Sequence, residues 1–282
     1  MVIPSSRLSI GFSPCPNDTF IFNGLVHDRL ISGGLEFSDE ILADVETLNN
    51  WALEERLDVT KISFHALGHV LDKYVLLNTG SALGRGCGPL LVTVGRVDPA
   101  NIHGLKIAIP GKLTTAAMLL RLFRPDCRNL VDMRFDQIMP AILAGEVDAG
   151  VIIHESRFTY KMMGLDLVED LGGWWEKISG HPIPLGCIVA RRSLGMETIR
   201  RIDQAVRESL RQAFAKPELC MSYVKKYAQE LDEKVMSDHI SLYVNSYSEN
   251  LEQEGVAAVC DFLTRGRQAG ILPEIGELTM AS

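Results

Sequence analysis

A chain of 282 residues, 46% hydrophobic and 23% charged, has the make-up of a folded globular protein, so disorder as the main state is excluded. Its 28 Lys and Arg against 36 Asp and Glu leave a net charge of -8, which argues against nucleic acid or an anionic membrane surface as the main partner, because both are polyanions. A small-molecule partner is favoured, and at this length two lobes enclosing a cleft are expected rather than a single core.

In chain order, residues 8–12 read as a strand, 13–19 as a turn rich in Pro, Asn and Asp, and 20–30 as a helix. Residues 35–43 form the next expected strand. Asp44 then caps a helix over 45–54, in which Val45, Leu48, Trp51 and Ala52 recur at helical spacing. Val59–Ser63, 74–79 and 89–94 continue as strands. After a polar stretch at 95–101, a second series begins: strand 105–109, helix 114–123, strand 130–135, helix 137–144 and the buried-type strand 149–153, with 184–190 following later. The last ninety residues read as helical, with Ile199, Ile202, Val206, Leu210 and Phe214 forming one stripe and Leu251, Val256, Val259 and Leu263 another. Residues 1–94 plus 191–282 are expected to form a larger α/β lobe and 95–190 a smaller one, joined by two crossings. Alternating strands and helices predict mostly parallel sheets covered on both faces, and the loops beyond the strand ends are where chemistry belongs.

The cysteines Cys15, Cys87, Cys127, Cys187, Cys220 and Cys260 contain no C-x-x-C pair, so neither a zinc ribbon nor a disulfide scaffold is indicated, and several lie in apolar runs that suit a reducing compartment. The first residues lack the apolar region of a signal peptide, and no apolar run approaches the roughly 18 residues of a membrane span, so a cytoplasmic location is expected.

Four segments at strand ends carry candidate chemistry. Asn17, Asp18 and Thr19 can cap the first helix or present groups to the cleft. Lys61 and Ser63 share one face of their strand by period-2 alternation, a cation and a hydroxyl that suit a carboxylate ligand. Gly111 to Thr115 opens a helix whose amides and Thr hydroxyls can hold a small anion. It is not a P-loop, since Lys106 stands at the first glycine position and Leu113 where Ser or Thr is required. His154 ends the apolar run 149–153, an imidazole at a strand end where a general base belongs, with Glu155 beside it. The loop Gly84-Arg85-Gly86-Cys87-Gly88 can bring its backbone near a ligand, with Gly86 counted among the candidate contacts, but it is not a dinucleotide fingerprint. His65 and His69 are spaced like zinc ligands, yet Ala66 replaces the glutamate of that motif, so the pair reads as structural or surface. Trp174-Trp175 reads as packing or cleft wall. No G-x-S-x-G elbow is present, and nothing calls for a metal.

Taken together, Ser13-Pro14-Cys15-Pro16-Asn17-Asp18-Thr19-Phe20, Asp44-Val45-Glu46-Thr47-Leu48-Asn49, Thr60-Lys61-Ile62-Ser63, Gly84-Arg85-Gly86-Cys87-Gly88-Pro89 and His154-Glu155-Ser156-Arg157-Phe158-Thr159-Tyr160 resemble the 1,4-dihydroxy-6-naphthoate synthase family over nearly the whole chain, in the same order. The resemblance implies a two-lobed type II periplasmic-binding-protein fold. It also implies conversion of cyclic dehypoxanthine futalosine to 1,4-dihydroxy-6-naphthoate and dihydroxyacetone, on the futalosine route to menaquinone. His154 is then the proton acceptor; Lys61, Ile62 and Ser63, and Thr115 with Ala116 helped by Thr114, are substrate contacts; and no metal or organic cofactor is needed. The partner implied is a small carboxylate, and a homo-oligomer is left open. The rival readings are chorismate dehydratase, a sibling on the same fold and pathway, and a solute-binding receptor, which has no need of a base at His154.

Overall fold

The computed structural model describes residues 7–27, 34–228 and 232–281. Its strands and helices, in chain order, are β1 (Ile10–Phe12), α1 (Pro16–Val26), β2 (Ile41–Leu42), α2 (Val45–Leu53), β3 (Val59–Ser63), α3 (Phe64–Leu67), β4 (Tyr74–Leu76), β5 (Ala82–Gly84), β6 (Leu90–Thr93), β7 (Ile107–Ile109), α4 (Thr115–Phe123), β8 (Leu130–Asp132), α5 (Ile138–Leu143), β9 (Ala149–Ile152), α6 (Ser156–Thr159), β10 (Asp166–Asp170), α7 (Leu171–Ser179), β11 (Ile183–Arg191), α8 (Met196–Ala215), α9 (Pro217–Tyr227), α10 (Glu233–Tyr243), α11 (Ser246–Glu249) and α12 (Glu252–Gln268).

Local chemistry accounts for most of these boundaries. The Asp44 carboxylate accepts from the N–H groups of Glu46 and Thr47 and starts α2 as the sequence predicts. Helix α1 begins earlier than residue 20: Pro16 occupies its first position, where a missing N–H is harmless and the fixed φ is already helical. The last residues of the expected helix, 28–30, lie outside the described residues. Of the strand expected at 35–43 only Ile41–Leu42 pairs as a strand, with a single bridge at Phe37.

Two sheets result. The first runs β2-β1-β3-β11-β4 with β5 also paired to β11, and the second runs β10-β6-β9-β7-β8. Both are mixed rather than mostly parallel. β1 is parallel to β2 and β3, and β7 to β8 and β9, whereas β11 and β6 are antiparallel to every neighbour. Parallel pairing needs a crossover, which the βα units provide; β6 and β11 are the strands that enter one sheet directly from the other, and they need none. Leu90–Thr93, read as part of the first lobe, therefore pairs in the second sheet, and Ile183–Arg191 in the first. The passages between sheets fall at residues 85–89 and 180–182, earlier than the 94 and 190 expected. Arg191 marks no crossing: its guanidinium bonds the Glu55 carbonyl and the Asp58 carboxylate.

At the first passage Gly88 lies so close to α7 that a Cβ there would sit 2.3 Å from Gly172 Cα. One apolar cluster packs α1, α8, α9 and α10 on the first sheet, and the α8 stripe Ile199, Ile202, Val206 and Leu210 is wholly buried in it, while Phe214 is exposed. A larger cluster runs through both lobes, from Phe64 and Leu67 through Leu91, Met118 and Val151 to Trp175 and Phe262. The lobes thus share a core beneath the cleft. Trp175 is packing, its ring edge-on to Phe262 and its Nε1–H bonded to the Pro182 carbonyl. The six cysteines form no disulfide.

Candidate active site

The cleft between the sheets is lined where β3, the start of α1, the start of α4, the loop after β9 and the end of α10 converge. At the start of α1 the capping position is Cys15, which makes no side-chain cap bond, so Asn17, Asp18 and Thr19 lie inside the first turn rather than capping it. Thr19 is fully buried with its hydroxyl on the Cys15 carbonyl and does not reach the cleft. Asp18 and Asn17 do line it. Asp18 is buried, its Oδ2 accepting from Ser13 N–H (3.2 Å) and Ser13 Oγ–H (2.7 Å) and its Oδ1 from Asn17 Nδ2 (2.8 Å) and Lys61 Nζ (2.9 Å).

Lys61 and Ser63 share the cleft face as the strand period predicts, but Lys61 is only 5% exposed and its ammonium donates to Asp18 and to the Gly80 carbonyl at 3.0 Å. Both carboxylate oxygens have donors and the ammonium has two acceptors, and losing either partner of this buried pair would strand a charge. Gly186 on the opposite strand lies alongside: a Cβ there would stand 3.2 Å from the Ile62 carbonyl oxygen and 3.4 Å from Lys61 Cε. Ser63 accepts from Ala66 N–H, capping α3, and donates to the Leu113 carbonyl; Ile62 also lines the cleft.

Thr114 caps α4, its Oγ accepting from Ala117 N–H at 3.2 Å and donating to the Gly111 carbonyl at 2.8 Å, while Thr115 donates to the Leu185 carbonyl at 2.8 Å. Both hydroxyls are therefore occupied. What Thr115 and Ala116 bring to the lining is the N–H end of a helix, which has no intrahelical acceptor. One amide of this loop is already used: Leu113 N–H donates to the Glu46 carboxylate (3.1 and 3.2 Å), whose pKa burial raises. Gly111, at φ +124°, has to be glycine here, since a Cβ would come within 2.4 Å of that carboxyl.

His154 is held by an unusual backbone, φ +57° in the left-handed region, directly after the buried β9. Phe135 packs edge-on against its ring at 4.8 Å, His239 lies nearly parallel to it at 6.1 Å, and Cys15 Sγ is 3.5 Å from Nδ1. Burial lowers its pKa, with the charge of Glu155 opposing, so the imidazole is neutral near pH 7 and able to accept a proton. Burial raises the Cys15 thiol well above its ordinary value, which keeps it protonated. The loop is anchored by Arg157, which donates to the Gly88 carbonyl and pairs with Asp170 at 2.9 Å.

Gly86 lies away from this cluster: it is exposed, and its N–H donates to Glu176 at 2.7 Å, while its neighbour Cys87 lines the cleft instead. His65 is buried, donates Nδ1–H to the Thr114 carbonyl at 3.0 Å, and is kept neutral by burial, which lowers its pKa to about 3. Among the described residues no group of three or more His, Cys, Asp or Glu is placed to hold a metal. Sequence reasoning did not select His239 and Tyr243, an i, i+4 pair on α10 that reaches the site from the far end of the chain. Only that spacing could have drawn attention to them.

A family model described as menaquinone biosynthesis matches residues 8–268. The 1,4-dihydroxy-6-naphthoate synthase of Thermus thermophilus is 49% identical over 94% of this chain and 95% of its own length, and that of Streptomyces coelicolor is 44% identical over 98% and 99%. A solved structure of a protein from Archaeoglobus fulgidus superposes with a TM-score of 0.90 at 34% identity, covering 96% of this chain and 100% of that one. The periplasmic aliphatic sulphonate binding protein of Escherichia coli gives 0.64 at 13% identity, covering 96% of this chain and 90% of that one, a likeness of fold alone.

Proposed function

Because the chain belongs to the menaquinone-biosynthesis family, alongside the 1,4-dihydroxy-6-naphthoate synthases, we propose that it converts cyclic dehypoxanthine futalosine to 1,4-dihydroxy-6-naphthoate and dihydroxyacetone, acting as a carbon–carbon lyase. The observation that carries the chemistry is the placement of His154 on the cleft lining with a buried Lys61–Asp18 pair and the amino end of α4, where burial lowers its pKa and favours the neutral ring. His154 takes a carbon-bound proton made acidic by a neighbouring carbonyl, the carbon–carbon bond breaks, and aromatisation of the product supplies much of the driving force. With Lys61 already neutralised by Asp18, the substrate carboxylate falls to the first N–H groups of α4 at Thr115 and Ala116, next to Ile62 and Ser63. A reducing cytoplasm suits the cysteines, and no helix among the described residues is long and apolar enough to cross a membrane.

Purified protein and its His154→Ala form, incubated with cyclic dehypoxanthine futalosine and followed by chromatography with mass detection, test this. Wild type is expected to form naphthoate, and the variant to lose about 10²–10⁴-fold in turnover, the range of a general base, with its fold intact. Since burial depresses the His154 pKa, the base form persists to more acid pH than in a free imidazole, and the acid limb of the rate profile is expected below pH 6.5. Binding without product from either form would favour a receptor instead.

A further inference from the structure

The Asp18 carboxylate fixes the protons of its neighbours one after another. It is 2% exposed, and each of its oxygens faces a group that can only donate, Lys61 Nζ on Oδ1 and Ser13 N–H on Oδ2, so both oxygens accept. Asn17 can therefore turn only its NH2 towards Asp18, at 2.8 Å, which leaves its carbonyl oxygen facing His239 Nε2 at 3.0 Å. That oxygen also only accepts, so the imidazole proton of His239 has to sit on Nε2 and Nδ1 is bare. The ring is fully buried, and its Nδ1 has no hydrogen-bond partner among the described residues. Asn17, on the cleft lining, keeps one Nδ2–H without a partner among the described residues.

We infer that His239 is a positioning residue for the reaction proposed above, and on the strength of that reading: by donating Nε2–H to Asn17 Oδ1 it holds the amide so that the unspent N–H serves the cleft. The N–H is then a donor for the substrate oxygen that gains negative charge as His154 removes the carbon-bound proton. Without the His239 proton the amide oxygen would be buried with no donor. Held then only by Asp18, the amide loses the contact that fixes its angle, and the unspent N–H is no longer kept aimed at the cleft.

Two variants and one spectrum test this. His239→Phe keeps a ring of similar size and loses the donor, and its kcat is expected to fall at least about tenfold with KM changed by less than about threefold, the pattern of an interaction made in the transition state. His239→Gln places an amide N–H near the Nε2 position and is expected to recover kcat to within about threefold of wild type. Long-range proton–nitrogen NMR of the wild type is expected to show the His239 proton on Nε2, a readout that needs no variant to fold. A proton on Nδ1, or a folded His239→Phe as fast as wild type, or a folded His239→Gln as slow as His239→Phe, overturns the role of His239 and leaves the reaction standing. A wild type that never turns over cyclic dehypoxanthine futalosine overturns both.

Discussion

His154 is one of three described non-glycine residues with positive φ, at +57°. A side chain in the left-handed region costs about 1–2 kcal/mol, so the turn after β9 is held there by its surroundings: Arg157 ties the loop to Gly88 and Asp170, and Phe135 backs the ring. Comparing two variants that both lack the imidazole isolates this strain. His154→Gly is expected to be more stable than His154→Ala by about 1 kcal/mol in urea unfolding, and equal midpoints would mean that the turn is unstrained. At this scale Asn17, Asp18, Lys61, Ser63, Thr114, Thr115 and His154 line the cleft, and each sits at a strand end or helix start that local pattern can locate. It could not show that Lys61 is paired with Asp18 across 43 positions, or that Asn17 meets His239 across 222, since such contacts exist only once the sheets are assembled. Gly86 misled because a glycine in a loop signals backbone freedom and nothing about what the loop faces.

Among the elements, the start of α4 is tied to four others. Glu46 of α2, Ser63 at the end of β3 and His65 of α3 all bond its loop, and Thr115 reaches β11. His65 makes this docking sensitive to acid. Its pKa is about 3 in the fold against an ordinary 6.5, so as pH falls below 6.5 the unfolded chain gains a proton that the folded chain refuses until about pH 3. The stability tied to the neutral ring is thus complete above pH 6.5 and drains away between 6.5 and 3. His65→Asn, which offers an amide donor near the Nδ1 position, is expected to lose less stability than wild type between pH 7 and pH 5. The difference should approach about 2 kcal/mol by urea titration, and parallel losses would exclude His65 as the group responsible. Elements written locally were legible: the Asp44 cap of α2 and the buried stripe of α8 follow from spacing alone. The edge strand β10, Asp-Leu-Val-Glu-Asp, was not, because its charged residues mask any alternation and its place comes from pairing with β6.

For the molecule as a whole, the sequence pattern carried the two-sheet α/β plan, but strand runs do not say which sheet a strand joins, and that is why the passages between sheets were set too late. The first passage depends on two bare backbones, Gly88 and Gly172, packed against each other. Gly88→Ala would push a methyl to 2.3 Å from Gly172 Cα and is expected to cost about 1–3 kcal/mol, whereas Gly86→Ala, whose methyl meets nothing within 4 Å, costs only the strain of its φ of +67°. Chemical unfolding of the two variants side by side checks this, and equal losses would remove the role given to close packing at the passage.

The Lys61–Asp18 pair also bears on how a charged substrate arrives. A carboxylate approaching this molecule meets a net charge of -8 and, inside the cleft, an ammonium whose field is already cancelled by a carboxylate 2.9 Å away. On the function proposed above, long-range attraction then plays no part in capture, and recognition falls to short-range dipoles of N–H groups that bulk ions hardly screen. Raising the ionic strength shortens the reach of the repulsion while leaving the dipoles intact, so salt should hasten the encounter rather than hinder it, opposite to the behaviour of a site built around an unbalanced cation.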